Sequence, residues 1–528
     1  MSYSQPLYFA VFLPLVALCY QLLPQRHRWK VLLAASYVFF YATSRQLILY
    51  LLFSTVSVHH LGLWLGTIHT ERSAAVKAAD RAERKAIKAE YQKQLRRVVV
   101  LGILLHLGIL LVVKYSMFFA ENLNALFHIT HLPFTLPEHR FALPLGISFY
   151  TMQAVSYLVD VYRGTIRPDR NLPRLALWMA FFPQIMEGPI CRYSDTADQL
   201  WACRSINYHN LTFGCQRFAW GMMKKIVVAD QLNWPVKEIF KNYGDYNGAV
   251  IFFGMIAYTV QLYMDFSGSL DMVIGAGEIF GVKLPENFRQ PFFSKTVSEF
   301  WTRWHITLGT WFKDYIFYPV SLSGGMKTLT SNARKKLGNH YGPMLASGVA
   351  LLAVWSANGL WHGSAWNYIC FGLYHFVLIF SGTLFEPTSK AICDRLHINR
   401  QSKPWHAWQI VRTVALVNIG ELIFRAHGMV AALRMLKKMF TDFDPGVFSR
   451  GEYLVEMDEK SLVVCIITVL IVLAHSILRE KGGSLREIVA AKPLPVRWVC
   501  YYLLILFIVM FGAYAGVYAP IDPIYAGF

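Results

Sequence analysis

The fold of this chain is decided by stretches such as residues 98–119, VVVLGILLHLGILLVVKYSMFF, in which apolar side chains follow one another almost without interruption. A helix needs about 20 such residues to cross the hydrocarbon layer of a bilayer. Over the 528 residues, hydrophobic residues make up 55% and charged residues only 16%, and the mean hydropathy is +0.35. This composition excludes a disordered chain and an ordinary soluble globule. It predicts an all-α polytopic membrane protein.

Similar apolar runs recur along the chain and predict about eleven to thirteen membrane segments, some of them re-entrant, around a polar chamber. The first run, 7–23, has no basic segment before it and a basic segment, 26–30, after it, so we expect a retained span rather than a cleaved signal peptide. We expect one integral membrane domain over 1–528, ending in a last span and tail at 498–528. The other runs lie at 31–43, 47–68, 98–119, 142–160, 211–233, 248–264, 343–361, 366–384, 408–424, 461–477 and 498–518.

Basic residues concentrate in the gaps between these runs. Lys plus Arg total 51 and Asp plus Glu total 32, which gives a net charge of +19. Residues 71–97 hold nine bases and four acids, whereas 441–460 hold two bases and six acids. We expect the protein in the cell inner or plasma membrane. The positive-inside rule then places 71–97 in the cytoplasm, and 441–460 and both termini on the extracytoplasmic side. The expected partner of the basic loops, which include 163–174, 327–336, 387–403 and 479–497, is anionic lipid and not nucleic acid.

The eight cysteines show no CxxC spacing. Neither a disulfide framework nor a metal site is therefore predicted. Buried free thiols are expected instead.

One stretch, residues 265–320, breaks the membrane pattern because it carries several charges among many aromatic residues. A charged side chain at a bilayer centre costs about 2.5–3.5 kcal/mol on insertion scales. The stretch must therefore be buried in protein, line a wet cavity or lie at the interface. The prolines in 284–287 and 290–291 predict breaks in the helical structure. The charged residues are Asp265, Asp271, Glu278, Lys283, Glu286, Arg289 and Arg303.

From Val297 the pattern becomes helical, with an apolar stripe that His305 accompanies. A single histidine among aromatic residues is more often a packed core residue than a functional one. The stripe consists of Phe300, Trp304, Thr307, Leu308 and Trp311.

A second polar island, SANGLWHGSAWN at 356–367, joins two apolar runs and contains His362 between Gly359 and Gly363. An imidazole is able to accept a proton at neutral pH, and glycine allows close approach of backbone or substrate. The alternative is an interfacial turn histidine. Together with the embedded acids, His305 and His362 are two candidate bases that a helical bundle can bring together.

At this point the residues resemble the membrane-bound O-acyltransferases, in particular the bacterial branch of polysaccharide and peptidoglycan O-acetylation proteins and the teichoic-acid D-alanyl transferase. The resemblance covers 143–433 and implies a catalytic core there. A weaker block is LIFRAHGMVAAL at 422–433. The four stronger blocks begin with LPLGISFY at 143, FFPQIMEGPICRY at 181, MDFSGSLDMVIG at 264 and NGLWHGSAWNY at 358.

Carried over by position, the resemblance implies that His362 is the catalytic histidine and that His305 is the second family histidine. His362 would act as the base, and His305 would orient the acyl group or polarise its carbonyl. The ending IYAGF departs from the aromatic ending of the branch, but Tyr525 keeps the tyrosine proposed to carry the acyl group outside. Supporting roles are expected for Asp265, Asp271, Arg303, Trp304, Asn358 and Trp361.

The resemblance implies a membrane O-acyltransferase that moves an acyl group, most simply acetyl, from a cytoplasmic thioester for O-acylation of a cell-surface polysaccharide. The donor would be acetyl-coenzyme A or an acylated carrier protein, and no permanently bound cofactor is expected. The acceptor would be the polysaccharide or an extracytoplasmic acyltransferase or esterase-like enzyme. One alternative is D-alanyl transfer to teichoic acid. Outside the family, broken helices with polar residues also fit a transporter.

Overall fold

The computed structural model of the chain describes residues 2–514, and its backbone over this range is helices joined by loops. Within that range, β-pairing is limited to one isolated antiparallel bridge between Phe288 and Trp304. The all-α prediction is therefore confirmed. The eight cysteines, all of which lie in this range, are free thiols. Four of them are buried, whereas Cys19 and Cys215 are exposed, so the expectation of burial is wrong for these two.

The helices follow the apolar runs closely in the first half of the chain. They are α1 Leu13–Leu22, α2 Gln25–Ser44, α3 Ile48–Ala78, α4 Arg84–Ile129, α5 Ile147–Arg163, α6 Leu172–Ala180, α7 Tyr193–Ala202, α8 Tyr208–Met222, α9 Asp230–Lys241 and α10 Gly248–Ile279. Short π-helical segments cover Leu7–Phe12 and Met223–Ala229, and a 3₁₀ turn covers Arg45–Leu47.

After α10 a non-helical loop leads into two very short helices and then into the long helices of the second half. These are α11 Val297–Arg303, α12 Ile306–Phe312, α13 Tyr318–Ser321, α14 Gly324–His362, α15 Trp366–Leu384, α16 Glu386–Arg395, α17 Lys403–Arg425, α18 Met429–Thr441, α19 Gly446–Arg450, α20 Glu459–Glu480, α21 Leu485–Ala490 and α22 Leu494–Phe511. A 3₁₀ turn covers Pro291–Phe293 and a π-helical segment covers Lys313–Phe317.

Eight helical stretches between residues 2 and 514 are long and apolar enough to cross a membrane, so the chain is a multi-pass membrane protein. One of them is the continuous stretch made of α2 and α3. The other seven are α4, α10, α14, α15, α17, α20 and α22. The number expected from the sequence was higher because it included shorter runs. The run 142–160 forms α5, whose 17 residues fall below the length of about 20 that a crossing helix needs. The run 211–233 is divided among α8, the π-helical segment Met223–Ala229 and the start of α9.

Several basic segments that were expected to be loops are helical. Helices α3 and α4 continue through most of 71–97, and residues 327–336 lie inside α14. Ala, Lys, Glu, Gln and Arg are strong helix formers, so a charged segment can extend a membrane helix into water. At 46 residues, α4 is about 69 Å long, more than twice the roughly 30 Å of hydrocarbon.

Side-chain caps mark where the helices that carry the candidate site begin. The hydroxyl of Thr296 accepts a hydrogen bond from the backbone N–H of Glu299 and starts α11. Ser402 caps α17 in the same way, and Ser323 caps α14. Such caps satisfy backbone donors that a helix leaves unpaired at its first turn. Helix α14 is interrupted at Gly338, whose φ of 78° favours glycine.

The chain divides into two compact units. The first unit comprises Met1–Cys215 and Val273–Pro285, and the second comprises Gln216–Met272 and Glu286–Phe528. The first unit has an aromatic core in which the rings of Tyr8, Phe12, Phe39 and Phe182 pack with centroids 5.3–6.3 Å apart. All the site residues predicted from the sequence, apart from Tyr525, lie in the described part of the second unit.

Within the second unit, α14, α15 and α17 pack closely together. A Cβ atom at Gly372 of α15 would lie 2.3 Å from the carbonyl oxygen of Trp355 in α14, so the two helices touch backbone to backbone there. The side-chain amide of Asn367 donates to the carbonyl of Phe424 at 2.8 Å and ties α15 to the end of α17. This three-helix group holds His362.

Candidate active site

The sequence predicted one continuous helix from Val297, and this prediction is wrong at His305. The chain forms α11 and α12 with a break at Trp304 and His305. His305 has φ of 46°, in the left-handed region that costs a non-glycine residue about 1–2 kcal/mol. The stripe of Phe300, Trp304, Thr307, Leu308 and Trp311 is nevertheless buried.

The break is caused by pairing with the loop that follows α10. The backbone N–H of Arg289 donates to the carbonyl of Arg303 at 2.9 Å, and that of Ile306 donates to the carbonyl of Asn287 at 3.0 Å. These bonds replace helical ones, and they are possible because the loop at 284–291 is itself kept non-helical by its prolines. The local helical pattern therefore yields to a contact with a distant segment.

The His305 side chain is 3% exposed and lies against the ring of Phe266, with centroids 4.8 Å apart. Its Nδ1 atom lies 3.2 Å from the side-chain nitrogen of Asn287. Burial lowers the pKa of His305 from 6.5 to about 3, because the charged form loses its hydration. The imidazole is therefore neutral at physiological pH.

His362 is the last residue of α14 and is 4% exposed. Its ring meets those of Phe424 and Phe371 edge-on, with centroids 5.1 and 5.8 Å away. The indole of Trp361 lies 4.9 Å from the His362 ring and 5.6 Å from the His305 ring. The structure thus brings the two predicted histidines to the same indole.

Asn358 lies one turn before His362 on α14, so the two side chains project from the same side of the helix. It is 6% exposed, and its Oδ1 atom has no hydrogen-bond partner among the described residues. A buried carbonyl oxygen without a partner is costly and marks a place where water or a ligand group can bind. Asn358 therefore adds a polar group beside the His362 position.

The predicted supporting acids pair with cations. Asp271 lies 3.0 Å from Arg217 and 2.5 Å from Lys224. Arg217 also binds Glu286 with two hydrogen bonds of 2.6 and 2.5 Å. This quartet of two cations and two anions joins α8, the π-helical segment and α10 to the loop that carries Asn287.

Asp265 forms the second ion-pair group. Lys225 lies 2.6 Å from Asp265 and 2.7 Å from Asp230, and all three side chains are almost fully buried. Burial raises the pKa of Asp230, the first residue of α9, to about 6. Asp265 precedes Phe266, so this group holds the helix turn that packs against His305.

Arg303 and Trp304 support the same region in different ways. Arg303 pairs with Glu299 at 2.8 Å and with Glu480 at 2.9 Å, and its carbonyl belongs to the backbone pairing described above. The Trp304 ring lies 5.0 Å from that of Phe288. Tyr525 lies outside the described residues.

Sequence reasoning missed three residues in this neighbourhood. Asn287 was noted only as part of a helix break. His375 of α15 is fully buried and accepts a hydrogen bond at Nδ1 from the Trp301 indole at 3.2 Å. Glu421 lies in an apolar run, is 2% exposed and has no ion pair in the described range. No local pattern distinguishes such residues, since their contacts come from other helices.

The fold and the site define a polytopic all-α membrane protein with two buried histidines at one indole. A sequence model of the membrane-bound O-acyltransferase family matches residues 165–333. The matched range includes His305 and the acids around it.

Curated relatives extend this match over most of the chain. The probable alginate O-acetylase of Pseudomonas putida is 33% identical over 94% of this chain and 91% of its own length. That of Azotobacter vinelandii is 34% identical over 84% of this chain and 78% of its own. The teichoic acid D-alanyltransferase of Bacillus subtilis is 31% identical over 48% of this chain and 62% of its own. The chain belongs to the membrane-bound O-acyltransferase family and is a membrane-bound O-acyltransferase.

Proposed function

We propose that this protein transfers an acetyl group from a cytoplasmic thioester for O-acetylation of a cell-surface polysaccharide. The observation that carries the proposal is the pair of buried imidazoles, His305 and His362, that contact the same indole. In a chain of an O-acyltransferase family, two such groups supply what acyl transfer requires, a base and a hydrogen-bond donor.

In the proposed reaction, the acceptor hydroxyl attacks the thioester carbonyl, so that a C–O bond forms and the C–S bond breaks. His362 takes the proton of the hydroxyl during the attack and returns it to the departing sulfur, so the transfer is proton-neutral. General-base assistance of this kind contributes about 10²–10⁴ in rate. His305 polarises the carbonyl and stabilises the negative oxygen of the tetrahedral stage.

The aromatic shell around His362 supports this chemistry. The rings of Trp361, Phe371 and Phe424 pack against the imidazole, with centroids 4.9–5.8 Å away. Such a shell keeps bulk water away from a thioester and favours transfer over hydrolysis. The partner-free Oδ1 of Asn358 supplies a hydrogen-bond acceptor on the same side of the helix for an incoming hydroxyl.

The relatives favour acetyl over D-alanyl as the transferred group. A relative named for acetylation aligns over 94% of the chain, whereas the D-alanyltransferase aligns over 48%. We therefore propose acetyl-coenzyme A as the donor, with an acylated carrier protein as the alternative. On the outer side the acetyl group passes to the polysaccharide or to an extracytoplasmic acyltransferase, with Tyr525 as its carrier.

The test is donor cleavage by the purified protein in lipid vesicles. Labelled acetyl-coenzyme A and a labelled D-alanyl carrier protein are supplied separately, each together with a polysaccharide such as alginate as the hydroxyl acceptor, and release of the free thiol is followed. We expect turnover with acetyl-coenzyme A alone. Turnover with the D-alanyl carrier alone would replace the acetyl proposal by the alternative.

The same assay tests His362. His362→Ala should insert normally and lose at least 10²-fold in turnover, the lower end of what a general base contributes. The matched control is His340→Ala, which removes an exposed histidine from the same helix and should leave turnover unchanged. Full activity of His362→Ala would remove this residue from the chemistry.

A further inference from the structure

The side-chain amide of Asn287 lies between His305 and the start of α12, and it is 1% exposed. Its Oδ1 atom lies 2.9 Å from the backbone nitrogen of Thr307 and 3.0 Å from the Thr307 hydroxyl. A backbone N–H has only a proton to offer, so the amide atom that faces it must be the oxygen. The orientation of the amide is therefore set by the backbone.

With the oxygen facing Thr307, the amide nitrogen Nδ2 is the atom 3.2 Å from Nδ1 of His305. The oxygen lies farther from Nδ1, at 3.4 Å, and two donors already occupy its lone pairs. An amide nitrogen is only a donor, so Nδ1 must present its lone pair to it. In a neutral imidazole the proton then resides on the other nitrogen, Nε2.

We propose that Asn287 is a positioning residue that fixes the tautomer of His305, so that this histidine presents an Nε2–H donor to the reacting carbonyl. The inference rests on the proposed function for the role of that donor, but the tautomer itself is independent of it. This tautomer gives the two histidines different chemical roles. His305 is the donor and His362 is the base.

The surrounding structure holds Asn287 rigidly enough for this task. The backbone carbonyl of Asn287 accepts a hydrogen bond from the backbone N–H of Ile306 at 3.0 Å. The neighbouring residue, Glu286, accepts two hydrogen bonds from Arg217. Arg217 is in turn paired with Asp271 of α10. Two-point attachment by an arginine fork restricts rotation as well as distance, so the loop cannot turn the amide away.

The consequence for catalysis is a donor that needs no reorganisation during the reaction. The carbonyl oxygen of a thioester gains negative charge when the hydroxyl attacks, and a preorganised neutral N–H stabilises that charge. Loss of one such donor lowers kcat by about 10²–10³ in known cases. The other tautomer would turn a lone pair toward the oxygen and repel it.

The decisive measurement is nitrogen-15 magnetic resonance of histidine-labelled protein in lipid, since protonated and unprotonated ring nitrogens have well-separated shifts. The His305 signals are assigned by their loss in His305→Asn. We expect an unprotonated Nδ1 and a protonated Nε2 in the wild-type protein. A proton on Nδ1 would overturn the proposal, and this measurement requires no substrate.

Asn287→Asp provides the functional arm. The carboxylate keeps the shape of the amide but offers two acceptors, so it should draw the proton of the neutral imidazole to Nδ1. At pH 8 we expect the nitrogen-15 spectrum to show a protonated Nδ1 and an unprotonated Nε2. We also expect a 10²–10³-fold lower kcat for cleavage of acetyl-coenzyme A, with little change in KM.

The control is Asn418→Asp, the same substitution at a buried asparagine of α17 whose Oδ1 atom has no hydrogen-bond partner among the described residues. It should leave the His305 signals as in the wild type. If Asn287→Asp moved the proton to Nδ1 of His305 but left kcat unchanged, the donor role of His305 in the proposed function would be rejected. The tautomer assignment would stand. Should Asn287→Asp fail to fold, the wild-type spectrum still decides the assignment.

Discussion

At the scale of single residues, His305 and His362 are equally buried but differently held. His305 has a left-handed backbone conformation and a side-chain amide beside one ring nitrogen, whereas His362 ends a long helix and packs against aromatic side chains. The sequence pointed to both residues. It did not point to Asn287, because a hydrogen bond across 18 positions leaves no periodic signal.

The burial of His305 predicts that the fold is sensitive to acid. Because burial lowers its pKa to about 3, the unfolded chain binds a proton below pH 6.5 that the folded protein excludes. Stability therefore falls with decreasing pH, by about 2 kcal/mol between pH 7.5 and 5 for this group. Thermal unfolding in detergent at the two values measures the decline. The control is His305→Asn, because asparagine does not titrate and tolerates positive φ. Its unfolding free energy should decline by about 2 kcal/mol less than that of the wild type between the two pH values. An equal decline in both proteins would contradict the prediction.

Glu421 is expected to be held as the neutral acid. It is 2% exposed without an ion pair in residues 2–514, and Arg425, one turn later, lies over the rings of Phe240 and Tyr258 instead. An unpaired buried carboxylate would cost several kcal/mol. Glu421→Gln should therefore change the unfolding free energy by less than about 1 kcal/mol.

The comparison variant is Asp271→Asn, which leaves Arg217 and Lys224 with one anion fewer. Removal of one partner from a buried ion-pair group costs about 3–5 kcal/mol. Chemical denaturation of both variants in the same detergent checks the contrast. Equal destabilisation would mean that Glu421 is charged in the fold.

At the scale of elements, the sequence predicted most helices because propensity and hydrophobic pattern are local properties. It failed where a distant segment competes, as at the break between α11 and α12. It also misjudged basic segments as loops, because charge alone does not separate a loop from a helix that leaves the membrane. The close contact of α14 with α15 depends on small residues at a crossing point.

That contact predicts a strong effect of one methyl group. Gly372→Ala would place a Cβ atom 2.3 Å from the backbone oxygen of Trp355, so α14 and α15 must separate and shift His362. We expect a lower melting temperature and at least a tenfold loss of acetyl-coenzyme A cleavage, by analogy with the steep distance dependence of catalysis.

The control lies in the same helix. A Cβ atom at Gly382 would meet nothing within 4 Å, and alanine is the better helix former by about 1 kcal/mol. Gly382→Ala should thus be neutral or stabilising. If both variants behaved alike, the close packing at Gly372 would have no role in placing the site.

At the scale of the whole molecule, the membrane class and the family are established, whereas the orientation stays a prediction. The charge of 71–97 and of 441–460 predicts that these segments lie on opposite sides of the membrane. The proposed extracytoplasmic tail would bring Tyr525 to the side where the acetyl group leaves. This connects one residue with the direction of the entire transfer.

Tyr525→Phe tests that connection. If the hydroxyl carries the acetyl group, mass spectrometry should find an acetylated C-terminal peptide in the wild type and none in the variant, and polysaccharide acetylation should stop. The control is Tyr514→Phe, which removes a hydroxyl that donates to the carbonyl of Ile508 within the described chain. Normal acetylation by Tyr525→Phe would exclude the carrier role.

Composition, apolar runs and ordered motif blocks by themselves determined that this chain is helical, spans a membrane many times and belongs to an acyltransferase family. These properties depend on residues that are close together in the sequence. The conformation of His305, the amide that faces it, the pairing of Asp271 with Arg217 and the burial of His375 and Glu421 were decided by tertiary structure alone. Each depends on packing between segments that are not adjacent in sequence, such as the 18 positions between Asn287 and His305 and the 54 between Arg217 and Asp271. Such contacts have no counterpart in local periodicity, since they arise only when helices meet.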